Sequence, residues 1–99
     1  MRVRLSEQIV DFTRRLAPEP RKLVRQGLRD LAHEEGDIKP LEAPLDSYCR
    51  LRIGGFRVIF QYATAKRIDC IFIERRSLVY EVFAEEIARR LEQGEPSSG

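Results

Sequence analysis

The stretch from Tyr48 to Tyr62 constrains this chain more than any other. Polar and apolar residues alternate through Tyr48-Cys49-Arg50-Leu51-Arg52-Ile53. Gly54-Gly55 follows, and then Phe56-Arg57-Val58-Ile59-Phe60-Gln61-Tyr62. A period of two means strands, and two glycines between them mean a tight hairpin, because both turn positions tolerate positive φ. A two-residue connection fixes the register. Ile53 then faces Phe56, Leu51 faces Val58 and Cys49 faces Phe60, all on one apolar face. The same register sets Arg52 directly opposite Arg57, and Arg50 opposite Ile59, on the other face. Like charges directly opposite one another destabilise a sheet. The pairing points to an anion held by both guanidiniums, whose planar forks suit phosphate. On spacing alone, the alternative is a solvated face whose arginines snorkel toward surface carboxylates.

The rest of the chain supplies elements to cover such a hairpin. Met1 to Leu5 alternates like a short strand. Ser6 is a suitable N-cap for a helix of about ten residues carrying Ile9, Phe12 and Leu16. Pro18-Glu19-Pro20 stops it and opens a second helix with Leu23, Val24, Leu28 and Leu31 on one side, ending near Gly36. Lys39 to Asp46, with Pro40 and Pro44, reads as a loop. Ile68 to Glu74 is a third strand, apolar on both faces and so interior or covered on both sides. Ser77 to Leu91 reads as a last helix with Val79, Val82 or Phe83, Ile87 and Leu91 toward the core. The predicted fold is α+β: a small antiparallel sheet with an N-terminal helical hairpin and a C-terminal helix. One domain spans residues 1–93, and 94–99 form a flexible tail. There is no internal repeat.

Composition narrows the classes. At 99 residues and 11.5 kDa the chain is one small domain. Its longest uncharged apolar run, Cys70-Ile71-Phe72-Ile73, falls far short of the roughly 20 residues of a membrane helix. The basic N-terminus lacks a signal-peptide core, so a cytoplasmic location is expected. Cys49 and Cys70 lack metal-ligand spacing and are too few for a disulfide scaffold. They read as small buried hydrophobes. The net charge of +2 conceals an asymmetry. Residues 1–46 are neutral and residues 81–99 are acidic. Between them, residues 47–80 carry seven cations (Arg50, Arg52, Arg57, Lys66, Arg67, Arg75, Arg76) against Asp69 and Glu74. A local basic segment makes an anion site that the whole-chain charge hides.

These residues also carry a family resemblance. The run from Tyr48 to Phe60 resembles the core motif of the RelE/ParE toxin superfamily. So does Arg75-Arg76-Ser77-Leu78-Val79-Tyr80, and so does the helical hairpin preceding Leu41-Glu42-Ala43-Pro44-Leu45. The resemblance covers residues 2–92. It implies a toxin of a toxin–antitoxin pair, with a cognate antitoxin as partner. The RelE branch cuts mRNA in the ribosomal A site without a metal, whereas the ParE branch poisons DNA gyrase. Arg50, Arg52 and Arg57 fall on the basic strand positions of the RelE branch, and Tyr80 falls on its C-terminal tyrosine. Arg76 has the spacing from Tyr80 found in many members, with Arg75 beside it. Read without the resemblance, Arg75-Arg76 is an exposed strand exit and Tyr80 a half-buried helix residue.

The expected function is therefore a ribosome-dependent mRNA endonuclease, with the ribosome and mRNA as further partners and no cofactor or membrane. The expected catalytic set is Arg50, Arg52, Arg57, Arg76 and Tyr80. RNA contact is expected from Arg50, Arg52, Arg57, Arg75 and Arg76. Such cleavage needs the 2′-OH deprotonated, the phosphorane charge stabilised and the leaving oxygen protonated. Arginines serve the second need, and Tyr80 stacks a base or positions the substrate. The best-known members carry lysines where this chain has Arg50 and Arg52, and arginine stays protonated. The proton-transfer groups stay open among His33, Glu74 and Glu81, each also readable as a solvated surface residue. Two other functions remain: a gyrase inhibitor, and a non-catalytic interaction module.

Overall fold

A computed structural model describes residues 1–92, with side chains to residue 89. In chain order the elements are β1 (Arg2–Leu5), α1 (Glu7–Arg14), α2 (Pro18–Leu31), β2 (Asp37–Pro40), β3 (Cys49–Ile53), β4 (Phe56–Thr64), β5 (Arg67–Arg75) and α3 (Val79–Glu92). The hairpin has the register its sequence dictates: Ile53 pairs with Phe56, Leu51 with Val58, Cys49 with Phe60 and Arg52 with Arg57. Only Gly54 of the two turn glycines has positive φ, 55°, which is the sign pattern of a type II′ turn.

The strands form one sheet in the order β1-β5-β4-β3-β2. It is mixed rather than wholly antiparallel, because β1 runs parallel to β5, Val3 beside Ile68 and Leu5 beside Cys70. The chain reaches the far edge of the sheet through α1 and α2. There Asp37–Pro40 adds a fifth strand in part of what reads locally as a loop, pairing antiparallel with β3. Pro40 ends this edge strand, where a missing N–H costs no ladder bond.

One face of the sheet carries α1 and α2. Ile9, Leu16, Val24, Leu28 and Leu31 pack with Leu51, Ile53, Val58, Phe60, Ile68, Cys70 and Ile73, all buried. Three expectations are corrected here. Leu23 is 49% exposed, because the buried stripe of α2 runs through Val24, Leu28 and Leu31. The helix also ends at Leu31, five residues before Gly36, with Glu34 at φ 56° and Gly36 at φ 132° in the connection to β2. The first helix is shorter than expected, eight residues, and Arg15 caps it.

Polar side chains prolong the β1–β5 ladder past the end of β1. Ser6 Oγ accepts from Ile9 N at 3.3 Å, capping α1, and donates to Ile71 O at 2.9 Å. The Gln8 carboxamide donates to Ile73 O at 2.8 Å and accepts from Ile73 N at 2.8 Å, as a backbone peptide would.

The other face is divided. Ile59 pairs with Phe72 and Phe60 with Cys70, so Ile71 is an extra residue on β5. Ile59, Phe72, Val79 and Phe83 form a second buried cluster, flanked by Ile71, Val82, Ile87, Leu41, Leu45 and Tyr48. The Phe83 ring meets Tyr48 edge-on at 5.3 Å. Burying a phenylalanine side chain contributes about 1.5–3 kcal/mol, enough to hold α3 across half of this face. Helix α3 begins at Val79 rather than Ser77. The predicted core position Leu91 and the tail at 94–99 lie outside the described side chains and residues. No helix among the described residues is long and apolar enough to cross a membrane.

Candidate functional site

The half of this face that α3 leaves open carries the arginines. One row across four strands reads Asp37, Arg52, Arg57 and Glu74, and the next reads Lys39, Arg50, Ile59 and Phe72. Cross-strand partners share a face, so the cations and the two carboxylates all project the same way. A carboxylate is registered on each side of the arginine pair, but the ion pair formed in these rows joins Asp37 to Arg50, and no carboxylate offsets the mutual repulsion at Arg57. Arg50 Nη2 lies 3.5 Å from Asp37 Oδ1.

Arg57 occupies the centre. Its guanidinium is held below the ordinary arginine value, first by partial burial and then by the positive charges of Arg52, Arg50 and Arg76, with Tyr80 acting in the opposite sense. Four predicted site residues therefore surround Arg57 closely enough to act on its charge. Arg57 Nη1 donates to Gly54 O and Phe56 O, which ties one end of the guanidinium to the turn and leaves the other available. The backbone of Arg76 is also tied to the turn, its N–H donating to Gly55 O at 2.9 Å. Tyr80, in the first turn of α3, is 50% exposed.

Arg75 is not brought to this group. It pairs with Phe56 on the α1 side of the sheet, and its guanidinium carbon lies 5.9 Å from the centre of the Phe12 ring. Alternation along β5 separates it from Glu74, whose Oε1 accepts from the Arg75 N–H at 2.9 Å. His33 is exposed in the turn after α2, a helix on the opposite face from the arginines. Glu74 shares the row of Arg57, and Glu81 is exposed in the first turn of α3. Both cysteines are free thiols. Burial raises the Cys49 pKa, and burial with Asp69 raises that of Cys70 to about 12, so both stay protonated at neutral pH.

Sequence reasoning missed Asp37 and Lys39, because neither belongs to the local alternating pattern. Lys39 is registered opposite Arg50 and lines a groove with Arg50 and Tyr80. The signal available was Ile38 alone, one apolar residue between two charged ones, which is too short to read as a strand.

The sequence matches no protein-family model and no curated protein. The fold does match solved structures. The toxin–antitoxin complex RelBE2 from Mycobacterium tuberculosis aligns at 20% identity and TM-score 0.65, covering 76% of this chain and 96% of that chain. The RelB–RelE antitoxin–toxin complex from Methanococcus jannaschii aligns at 16% identity and TM-score 0.63, covering 81% and 98%. The isolated E. coli RelE toxin aligns at 16% identity and TM-score 0.60, covering 87% and 97%. Among the described residues, three helices on a five-stranded mixed sheet, with α3 covering part of the second face, are the RelE-like toxin fold.

Proposed function

We propose that this protein is the toxin of a type II toxin–antitoxin pair and cleaves mRNA on the ribosome without a metal. One observation carries the reading: Arg50 and Arg52 share the open half of one sheet face with Arg57, and Arg76 and Tyr80 lie near enough to act on its charge. A fold stabilised for its own sake has no use for four guanidiniums in one place. A phosphate passing through a dianionic phosphorane does. In the reaction, the 2′-oxygen bonds to the adjacent phosphorus and the bond from phosphorus to the 5′-oxygen breaks. The products are a 2′,3′-cyclic phosphate and a 5′-OH. Arg52 and Arg57 hold the non-bridging oxygens, and Tyr80 orients the neighbouring nucleotide. Arginine remains protonated. The 2′-OH proton therefore goes to Glu74, the carboxylate registered opposite Arg57, and the departing 5′-oxygen takes its proton from water as Glu74 returns its own to solvent.

The modest net charge of +2 is too small for tight RNA binding by bulk electrostatics, so the ribosome presents the substrate. Two of the similar structures are toxin–antitoxin complexes, which supports an antitoxin as the second partner. Expression in a bacterial host with primer-extension mapping tests the proposal. Growth arrest with cuts inside translated frames is expected, and Arg57→Ala abolishes both. Growth arrest with intact mRNA and trapped gyrase–DNA complexes assigns the gyrase function instead. Absence of toxicity assigns an interaction module.

A further inference from the structure

The ion pair at the far edge of the sheet does not follow the register. Asp37 on β2 is paired directly with Arg52, yet its Oδ1 lies 3.5 Å from Nη2 of Arg50, one diagonal step along β3. Arg50 stands among charges of its own sign. Lys39 is registered opposite it, Arg52 is two residues along its own strand, and Arg57 lies on its other diagonal. Diagonal neighbours on one sheet face are within reach of long side chains. The Arg50 side chain is nevertheless drawn in, 15% exposed against 55% for Asp37. We propose that Asp37 is a positioning residue of the phosphate site, holding the Arg50 guanidinium beside Arg57 against the repulsion of the cations around it. The inference rests on the phosphate site of the RNA-cleavage reading above and names what keeps it assembled.

Three observations carry it. Asp37 is the only carboxylate that forms an ion pair with Arg50 among the described residues. Glu42 lines the same groove as Arg50 without pairing with it, and Glu74 lies at the other end of the row, beyond Arg57. The contact itself runs through one nitrogen and one oxygen, and its 3.5 Å exceeds the roughly 2.7–2.9 Å of a charge-assisted hydrogen bond. A guanidinium carries several N–H donors, so this pairing restrains the head and leaves donors for a phosphate oxygen. Arg50 also acts on the charge of Arg57, whereas Asp37 does not. Asp37 therefore supplies position to the cluster without cancelling the charge at its centre.

A largely covered guanidinium that loses its one counter-ion is driven toward water. Its aliphatic stem stays packed while the head swings out. Asp37→Asn thus removes a negative charge and displaces a cation at once. Electrostatics without positioning predicts the opposite sign, because deleting a carboxylate beside arginines strengthens anion binding.

Titration of the full chain with inorganic phosphate, followed by NMR of the arginine Nε–Hε groups, tests this. The natural protein is compared with Asp37→Asn, Asp37→Glu, Arg50→Ala and the double variant Asp37→Asn with Arg50→Ala, and urea unfolding confirms that each is folded. We expect Asp37→Asn to bind phosphate at least about threefold more weakly than the natural protein, the loss of part of a hydrogen bond to a charged group. Asp37→Glu restores affinity to within about twofold, because it keeps the charge. In the Arg50→Ala background, Asp37→Asn causes no further weakening, because the residue acts through Arg50. Unchanged or tighter phosphate binding by Asp37→Asn overturns the positioning role while the phosphate site stands. Equal weakening with and without Arg50 overturns it too, since a merely structural role does not depend on that side chain. If phosphate shifts no Arg57 signal in the natural protein, the phosphate site fails and the inference falls with it.

Discussion

Arg57 Nη1 donates to the carbonyl oxygen of Gly54 at 2.9 Å, so the central cation of the site is fastened to the turn that sets its register. A second bond from the same nitrogen reaches Phe56 O at 2.8 Å. The guanidinium is thereby oriented before any anion arrives, which spares the entropy of fixing a long side chain. The turn, the register and the site form one local unit. In the proposed phosphate site a lysine is a poor replacement for Arg57, since a point charge on a flexible stem would not serve the turn and a phosphate together.

Arg57→Ala separates function from folding. The variant loses two solvent-near hydrogen bonds, each with a net value of about 0.5–1.5 kcal/mol, and gains relief from Arg52, Arg50 and Arg76. The two effects oppose each other, so the unfolding free energy changes by no more than about 1 kcal/mol. RNA cleavage falls by at least about 100-fold, the usual cost of removing one donor from a developing oxyanion. Urea unfolding and primer extension on the same preparation check the pair of outcomes. Full cleavage by a folded Arg57→Ala protein would falsify the phosphate-site assignment.

Gln8 substitutions report on the Ile73 bridge. Gln8→Ala leaves both polar groups of a half-buried peptide without their partner and destabilises the protein by about 1–3 kcal/mol. Gln8→Glu costs more at neutral pH, because a carboxylate cannot donate to Ile73 O. On acidification it recovers part of the loss, since a protonated carboxyl donates and accepts as the amide does. Denaturant unfolding at pH 7 and pH 4 distinguishes this bridge from simple packing, which predicts equal losses at both.

Gly27→Ala is destabilising although alanine is the better helix former. An added Cβ at Gly27 meets Ile53 Cδ1 at 2.5 Å and Cγ1 at 2.7 Å, where α2 closes onto β3. Overpacking costs about 1–3 kcal/mol, and the propensity gain is about 1 kcal/mol. A lower midpoint for Gly27→Ala in thermal unfolding is the expected result. Gly27→Ala with Ile53→Ala recovers stability relative to Ile53→Ala alone, because the second change removes the obstructing atoms.

Cys70 makes stability fall at alkaline pH. Burial pushes its folded pKa up to about 12, above the ordinary thiol value of 9.0. As pH rises past 9 the unfolded chain loses this proton and the folded chain keeps it, so ionisation favours unfolding until about pH 12. The stabilising contribution is complete below pH 9 and declines across that window. Cys70→Ala flattens the alkaline limb of the stability profile measured by chemical denaturation. In the native protein at pH 8, a thiol reagent leaves Cys70 unmodified until urea exposes it.

The site was legible in the sequence to the extent that it is local. The placing of Arg50, Arg52 and Arg57 on one face follows from the two-residue turn, whereas Arg76 and Tyr80 were singled out only by the family resemblance. Asp37 and Lys39 were not legible, since four residues containing one apolar side chain carry no period. Their place beside Arg50 and Arg52 comes from pairing at the far sheet edge, reached only after two helices. Arg75 shows the same limit from the other side. It neighbours Arg76 in sequence, but strand alternation and the Phe12 ring assign it to the opposite face.

The sequence alone determined the hairpin register, the apolar face of β3 and β4, the Ser6 cap and the three helices, because each depends on spacings of four residues or fewer. Tertiary structure decided the parallel β1–β5 pairing, the extra residue Ile71 on β5 and the split of the second face into a half covered by α3 and a half left to the arginines. Those depend on which elements meet across long separations, and apolar burial drives that meeting without regard to order along the chain.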